Sequence, residues 1–264
     1  MPEISVIMGP EELDRQLRPW LSSHSRPAWT PTVKKSDGKI TDSKFSGIPC
    51  LPDGKWPTCG SCQRPMQLFL QLDLSKLPLT APDFGQGLLQ FFFCTNETDE
   101  CYIQWYGDPF AKCQCVRLVS PVHSNTPSPL PIIEDCFPAK RITGWKELED
   151  YPAHAEREVM GLIYGSDDIL RCEQAGIEIE VFSDDYFDWS QELGVNGSKL
   201  AGWPSWRQNI EYANCPICEQ PMTAMVFQIT CDDNMPFMLA DGGVGQIIQC
   251  PEHKHSLGFV WASG

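Results

Sequence analysis

Apolar residues along the chain fall into short runs separated by turn-forming residues. From Pro10 to Ser23, Leu13, Leu17, Trp20 and Leu21 recur at three- and four-residue spacing, with Glu11, Glu12 and Asp14 near the start. This pattern predicts an amphipathic helix over residues 10–23 whose acidic first turn suits the helix dipole. Residues 24–58 are rich in proline, lysine and glycine and read as irregular. The runs at 67–73, 88–94, 101–106, 113–119, 177–182, 224–230, 245–250 and 257–262 are short and rich in β-branched and aromatic side chains, which predicts strands. The proline-rich stretch 121–138 reads as a connector. Residues 146–160 are expected to hold one or two helices interrupted by Pro152, and 167–175 another. The expected fold is α+β, mainly antiparallel β, in a single domain spanning residues 1–264.

The pattern repeats itself. Ser43-Lys44-Phe45-Ser46-Gly47-Ile48-Pro49 recurs as Ser198-Lys199-Leu200-Ala201-Gly202-Trp203-Pro204. Cys59-Gly60-Ser61-Cys62-Gln63-Arg64-Pro65-Met66 recurs as Cys215-Pro216-Ile217-Cys218-Glu219-Gln220-Pro221-Met222. Each is followed by an apolar run carrying a glutamine, Gln71 or Gln228. Each then reaches a Gly-x-Gly (Gly85-Gln86-Gly87 or Gly243-Val244-Gly245) and a second apolar run. Matched features in the same order indicate an internal duplication, with related β-rich halves at 43–120 and 198–264.

The cysteines give the duplication a chemistry. There are thirteen, an odd number, and the N-terminal Met1-Pro2-Glu3-Ile4-Ser5 does not resemble an export signal. Thiols and metal ligands are therefore expected in preference to a disulfide framework. A Cys-x-x-Cys pair in a redox protein stands at a helix N-terminus, whereas both pairs here precede Pro-Met and a strand-like run. That context resembles a zinc knuckle. Downstream, Cys250-Pro251-Glu252-His253 completes a set of three cysteines and one histidine, Cys215, Cys218, Cys250 and His253, with His255 competing for the fourth place. In the first half the favoured set is Cys59, Cys62, Cys94 and Cys101, with Cys113 and Cys115 as rivals. Four protein ligands leave no open coordination position, so both zinc ions are expected to be structural. Cys50, Cys136, Cys172 and Cys231 are read as small buried hydrophobes.

The formal charge is −15. Such a surface argues against direct nucleic-acid binding and against anionic membranes, and the apolar runs are too short to span a bilayer. The charge is uneven. Residues 1–46 carry seven basic against six acidic side chains, whereas residues 141–197 carry four against fourteen. This acidic insert contains Asp184, Asp185, Tyr186, Phe187, Asp188 and Trp189, where rings alternate with carboxylates. Such a segment suits an interface with a basic partner, and the alternative is a solvated face with some rings in the core.

No catalytic arrangement is legible. Gly85-Gln86-Gly87 and Gly242-Gly243-Val244-Gly245 lead into strands and lack the lysine of a phosphate loop. His24, His123 and His154 stand apart from any nucleophile motif. The expectation is a protein that is not an enzyme.

The chain resembles the YwqG-like bacterial proteins, a domain of unknown function. The resemblance rests on Gly47-Ile48-Pro49, Leu51-Pro52, Trp56-Pro57, Pro65-Met66, Phe69-Leu70-Gln71-Leu72-Asp73 and Gly87-Leu88-Leu89-Gln90-Phe91-Phe92-Phe93. It continues with Gly202-Trp203-Pro204, Gln228-Ile229 and Asp241-Gly242-Gly243. It covers most of 43–264, and the eight metal-ligand candidates fit a cysteine-bearing branch. Thr230-Cys231 departs from it, since an aspartate often stands there. The resemblance implies a cytoplasmic bacterial protein with an internal duplication. It also implies an immunity role, because such proteins occur beside toxin genes. The partner then expected is a toxin domain with a basic nucleotide- or nucleic-acid-binding cleft, occluded by the acidic surface.

Overall fold

The computed structural model describes residues 9–97, 101, 107–121, 130–133 and 135–263. After helix α1 (Pro10–Ser23) come β1 (Arg26–Lys35), β2 (Lys44–Phe45), β3 (Gln67–Asp73), β4 (Leu88–Phe93), β5 (Gln114–Val119) and β6 (Lys140–Asp150). Next come α2 (His154–Val159), β7 (Ile163–Tyr164), β8 (Ile169–Cys172), β9 (Ile177–Glu180) and α3 (Ser183–Glu192). The chain then returns through β10 (Lys199–Ala201), β11 (Ala224–Thr230), β12 (Val244–Gln249) and β13 (Leu257–Ala262). Apart from Cys101, the expected strand 101–106 lies outside the described residues.

Among the described residues, ten strands form one antiparallel sheet in the order β13-β12-β11-β10-β1-β6-β2-β3-β4-β5. The long strands β1 and β6 pair along their whole length at its centre, from Arg26↔Asp150 to Lys35↔Lys140. Each short strand then joins the long strand of the other half: β2 pairs with β6, and β10 with β1. With each long strand counted with the half it precedes, β1 with the first and β6 with the second, the two halves exchange strands at the middle of the sheet. At the outer edges the Gln114 side-chain amide donates to the Phe259 carbonyl, and the Phe259 amide donates to the Pro109 carbonyl. These bonds draw the sheet toward a barrel. Phenylalanines from both halves fill the interior, with Phe91 and Phe259 centroids 4.3 Å apart and Phe45 and Phe227 5.9 Å apart. Such contacts between rings add to what their burial contributes.

The repeated Ser-Lys-x-x-Gly-x-Pro segment has a physical reason in each half. Lys44 Nζ bonds Asp37 Oδ1 at 2.7 Å, and Lys199 Nζ bonds Asp150 Oδ2 at 2.7 Å. The same carboxylates accept from the backbone amides of Ile48 and Trp203. A Cβ on Gly47 would lie 2.3 Å from Asp37 Oδ1, and one on Gly202 2.3 Å from Asp150 Oδ2. Both glycines have positive φ, 83° and 81°, so the site needs glycine twice over. The repeated glutamines work alike: Gln71 Oε1 accepts from the Cys50 amide, and Gln228 Oε1 from the Ser205 amide. Even the β-bulges coincide, one between Leu68 and Leu70 and the other between Met225 and Phe227.

A smaller lobe packs beside the sheet. It combines α1, α2, α3 and the three-stranded sheet β7-β8-β9 around Leu13, Leu17, Leu21, Leu170, Tyr186 and Trp189. Three expectations change here. Residues 26–35, read as irregular, form the central strand β1. Residues 141–150, read as the start of the acidic insert and from 146 as helical, form its partner β6, so the lobe begins after Asp150 and the helix there is confined to α2. Residues 167–175, read as helical, are β8 followed by a short 3-10 turn at Glu173–Ala175. Among the described residues no helix is long and apolar enough to cross a membrane.

Candidate metal centres

Two clusters of metal-ligating side chains lie at equivalent places in the halves. Cys59, Cys62, Cys94 and Cys101 form one, and Cys215, Cys218, Cys250 and His253 the other; within each, one ligand atom per residue lies within 4.8 Å of the rest. Local backbone brings each first pair together. The Cys59 amide donates to the Arg64 carbonyl and the Cys215 amide to the Gln220 carbonyl, both at 2.8 Å. Gln63 and Glu219 each take a left-handed φ of 60° to close the turn. The second halves of the sites follow directly on β4 and β12. Strand pairing therefore carries Cys94 and Cys250 to the knuckles.

The spacing suits a tetrahedral ion. Metal–sulfur bonds of about 2.3 Å put thiolate sulfurs about 3.8 Å apart around zinc. Cys59 and Cys101 Sγ are 3.9 Å apart, Cys62 and Cys94 3.7 Å, and Cys218 and Cys250 3.7 Å. His253 presents Nδ1, at 3.8 Å from Cys215 Sγ and 3.7 Å from Cys250 Sγ. These separations are far too long for disulfides, and the cysteines are free thiols.

The surroundings favour thiolate at particular positions. Burial pushes the Cys215 thiol up, but the Ser256 hydroxyl and the Cys218 and Ile217 amides outweigh it and bring it down to about 6. At Cys62 burial is likewise outweighed, by the Arg64 amide and the Asn96 side chain, and its thiol falls to about 7. Burial wins at Cys94, whose thiol is pushed up, with Cys59 adding to the rise. A cation is what would turn such a cluster into thiolates.

The structure brings together the eight residues proposed as ligands and leaves Cys113, Cys115 and His255 outside both clusters. Cys113 is nonetheless close by, since its carbonyl accepts from the Cys94 amide at 2.8 Å. Cys50 and Cys172 are buried as expected, but Cys136 and Cys231 are exposed. Ser256, whose hydroxyl accepts from the Cys215 thiol at 3.3 Å, is a further neighbour of the site. Its signal was its position three residues after His253.

The acidic segment folds as helix α3, and the helix splits the proposed partner-binding residues. Tyr186 and Trp189 are buried in the lobe core, so they are not offered to a partner. They stand three apart, hence on one helix face. Tyr186 stacks on Tyr164 at 4.3 Å, and Trp189 Nε1 donates to Asp14 at 3.4 Å. Asp184, Phe187 and Asp188 are exposed, and Asp185 is half-buried.

A family model described as a domain of unknown function, DUF1963, matches residues 43–256. The chain belongs to this family. The match runs from the first repeated serine through both knuckles and all eight clustered ligands. Helix α1 precedes it. For this DUF1963 protein, comparison with curated proteins finds no match.

Proposed function

We propose that this is a zinc-stabilised, non-catalytic binding protein, and that it acts as an immunity protein covering the basic cleft of a toxin domain. Zinc is the metal favoured by donor sets of four cysteines or of three cysteines and a histidine. Four protein ligands leave no position for substrate, so each ion serves as a staple. The observation that carries the binding role is the lobe surface. Phe187, 47% exposed, stands on α3 with the carboxylates of Asp184 and Asp188 on either side. It packs at its base on His154 and Tyr164. A partly exposed ring anchored at its base and rimmed by negative charge suits a basic partner: the ring supplies buried area and the carboxylates steer the encounter. A cleft between α1 and α3 adds Glu11, Glu149 and Glu192 to the same side of the charge balance, with Asp14 paired to Arg18 in its wall.

The test is to read the genes flanking this one, co-express the chain with any toxin domain encoded there, and assay toxicity. Protection is expected, and Asp184→Lys together with Asp188→Lys should abolish it in a protein that still folds, with only a small drop in melting temperature because Asp184 stands in the first turn of α3. Reversing buried interfacial charges of this kind typically costs about 2–5 kcal/mol of affinity each. Absence of protection removes the immunity role. Protection that survives the reversal moves the interface off α3. Binding to a partner other than a toxin would make the protein an adaptor with the same frame.

A further inference from the structure

The two halves match so closely that their differences stand out, and one of them lies beside the first metal cluster. Strand register places Arg117 opposite Gln90 in one half and Val260 opposite Gln246 in the other. Counting back from the knuckles, Lys55 and Trp56 occupy the positions of Glu211 and Tyr212. In the second half this ground is closed. Val260 is buried with Met222, Ile248 and the partly buried Trp206. Trp206 Nε1 and the Tyr212 hydroxyl both donate to one carboxylate oxygen of Glu156, at 2.9 and 2.8 Å, so helix α2 of the lobe is seated there.

In the first half the same ground is a shallow open cleft of about 380 Å³ that includes Asp53, Lys55, Trp56, Thr58, Lys112 and Arg117 in its walls. Arg117 is held in place. Its Nε donates to Gln90 Oε1 at 3.0 Å, and its guanidinium carbon lies 5.5 Å from the centre of the Phe92 ring. Gln90 is itself fixed, donating to the Cys50 carbonyl at 2.6 Å and to Gln71 Oε1 at 2.8 Å. Yet the guanidinium is poorly satisfied. Nη1 is 3.9 Å from Asp53, and Nη2 is buried without a hydrogen-bond partner. Leaving a donor of a charged group in that state is costly. Among the described residues, Arg117 and Lys55 face this cleft with Lys112 at its rim and Asp53 as a carboxylate, on a chain whose charge is −15.

We propose that this cleft is an anion site that binds a small phosphate monoester dianion. Arg117 donates its spare N–H groups to the phosphoryl oxygens, Lys55 and Lys112 neutralise the second charge, and the Trp56 indole flanks the ester group. Guanidinium with lysines is the usual chemistry for such oxygens. The site is independent of the toxin-binding role proposed for the lobe. It depends on the first metal cluster, because the Gly60 amide in that knuckle donates to the Lys112 carbonyl at 2.8 Å.

The test is calorimetric titration of the metal-loaded protein at low ionic strength with inorganic phosphate, adenosine 5′-monophosphate, adenosine and acetate. Both phosphate probes should bind, and adenosine and acetate should not. Tighter binding of the nucleotide than of phosphate would show that the cleft takes the ester, and equal affinity would restrict the proposal to free phosphate. Arg117→Gln should weaken binding by roughly tenfold or more, the usual scale for one charge-assisted contact. The surface double variant Lys55→Gln, Lys112→Gln should do the same with an unchanged melting curve, which decides the matter if Arg117→Gln does not fold. No heat with millimolar phosphate, equal binding of acetate, or full affinity in the folded double variant would overturn the proposal.

Discussion

The two halves of the sheet share a frame down to single hydrogen bonds, but they differ in how deeply each part is buried. In the second half Lys199 and Asp150 are both sealed, at 1% and 0% side-chain exposure. In the first half Lys44 is sealed, but its partner Asp37 is 34% exposed. The same contrast recurs at the cleft beside each knuckle, closed by α2 in one half and open in the other. A duplicated fold keeps what each half needs in order to stand. It diverges where one half has acquired a neighbour. The lobe packed against the second half is that neighbour: Asp150 accepts from the amides of Val195 and Trp203, and Glu156 from Trp206 and Tyr212.

The sharpest way to break this comparison is to remove the two lysines separately. Lys199→Met strands a buried carboxylate and should destabilise the protein by about 3–5 kcal/mol, whereas Lys44→Met leaves a carboxylate that water can reach and should cost about 1–2. Chemical denaturation of both variants reads the difference, and equal losses would mean that the halves are energetically alike. A second contrast lies within α3. Tyr186→Ala should cost about 3–5 kcal/mol of stability, as for other large core side chains, and Phe187→Ala about 0.5 or less. The same denaturation experiment would show the reverse if the helix were rotated.

The smallest expected effect is a difference in pH response between the metal clusters. A thiol depressed in the folded protein holds its charge above its folded pKa and loses it as pH falls through that value. Each cluster pairs a lowered thiol with a raised one: Cys215, at about 6, stands with Cys218, and Cys62, at about 7, with Cys94. Lowering the pH from 8 should therefore release metal from the first cluster before the second. A chromogenic chelator follows this directly in Cys59→Ser and Cys215→Ser, each expected to keep one centre. Release at the same pH from both variants would remove the distinction.

Much of this was legible in the sequence because it is local. The knuckles, α1 and the matched glutamine runs each declare themselves within a few residues. What stayed hidden depends on distant partners. Strand β1 carries Pro27, Pro31, Lys34 and Lys35, and only Ala28 and Trp29 are buried. Its strand conformation comes from pairing with β6, more than a hundred residues away. The stretch 167–175 has apolar residues that suit a short helix and a strand equally well, and the pairing with β7 and β9 decides between them. At α3 the sequence did hold the answer. Tyr186 and Trp189 share a helix face, and Asp184, Phe187 and Asp188 lie off it, a division hidden while the segment was weighed as one acidic patch.

The most direct measurement is the metal content of freshly purified, reduced protein, by elemental analysis of the parent chain and of Cys59→Ser and Cys215→Ser. Two zinc ions per chain are expected in the parent and one in each variant. A value near zero in the parent, or an unchanged value in both variants, would contradict two repeat-related metal centres.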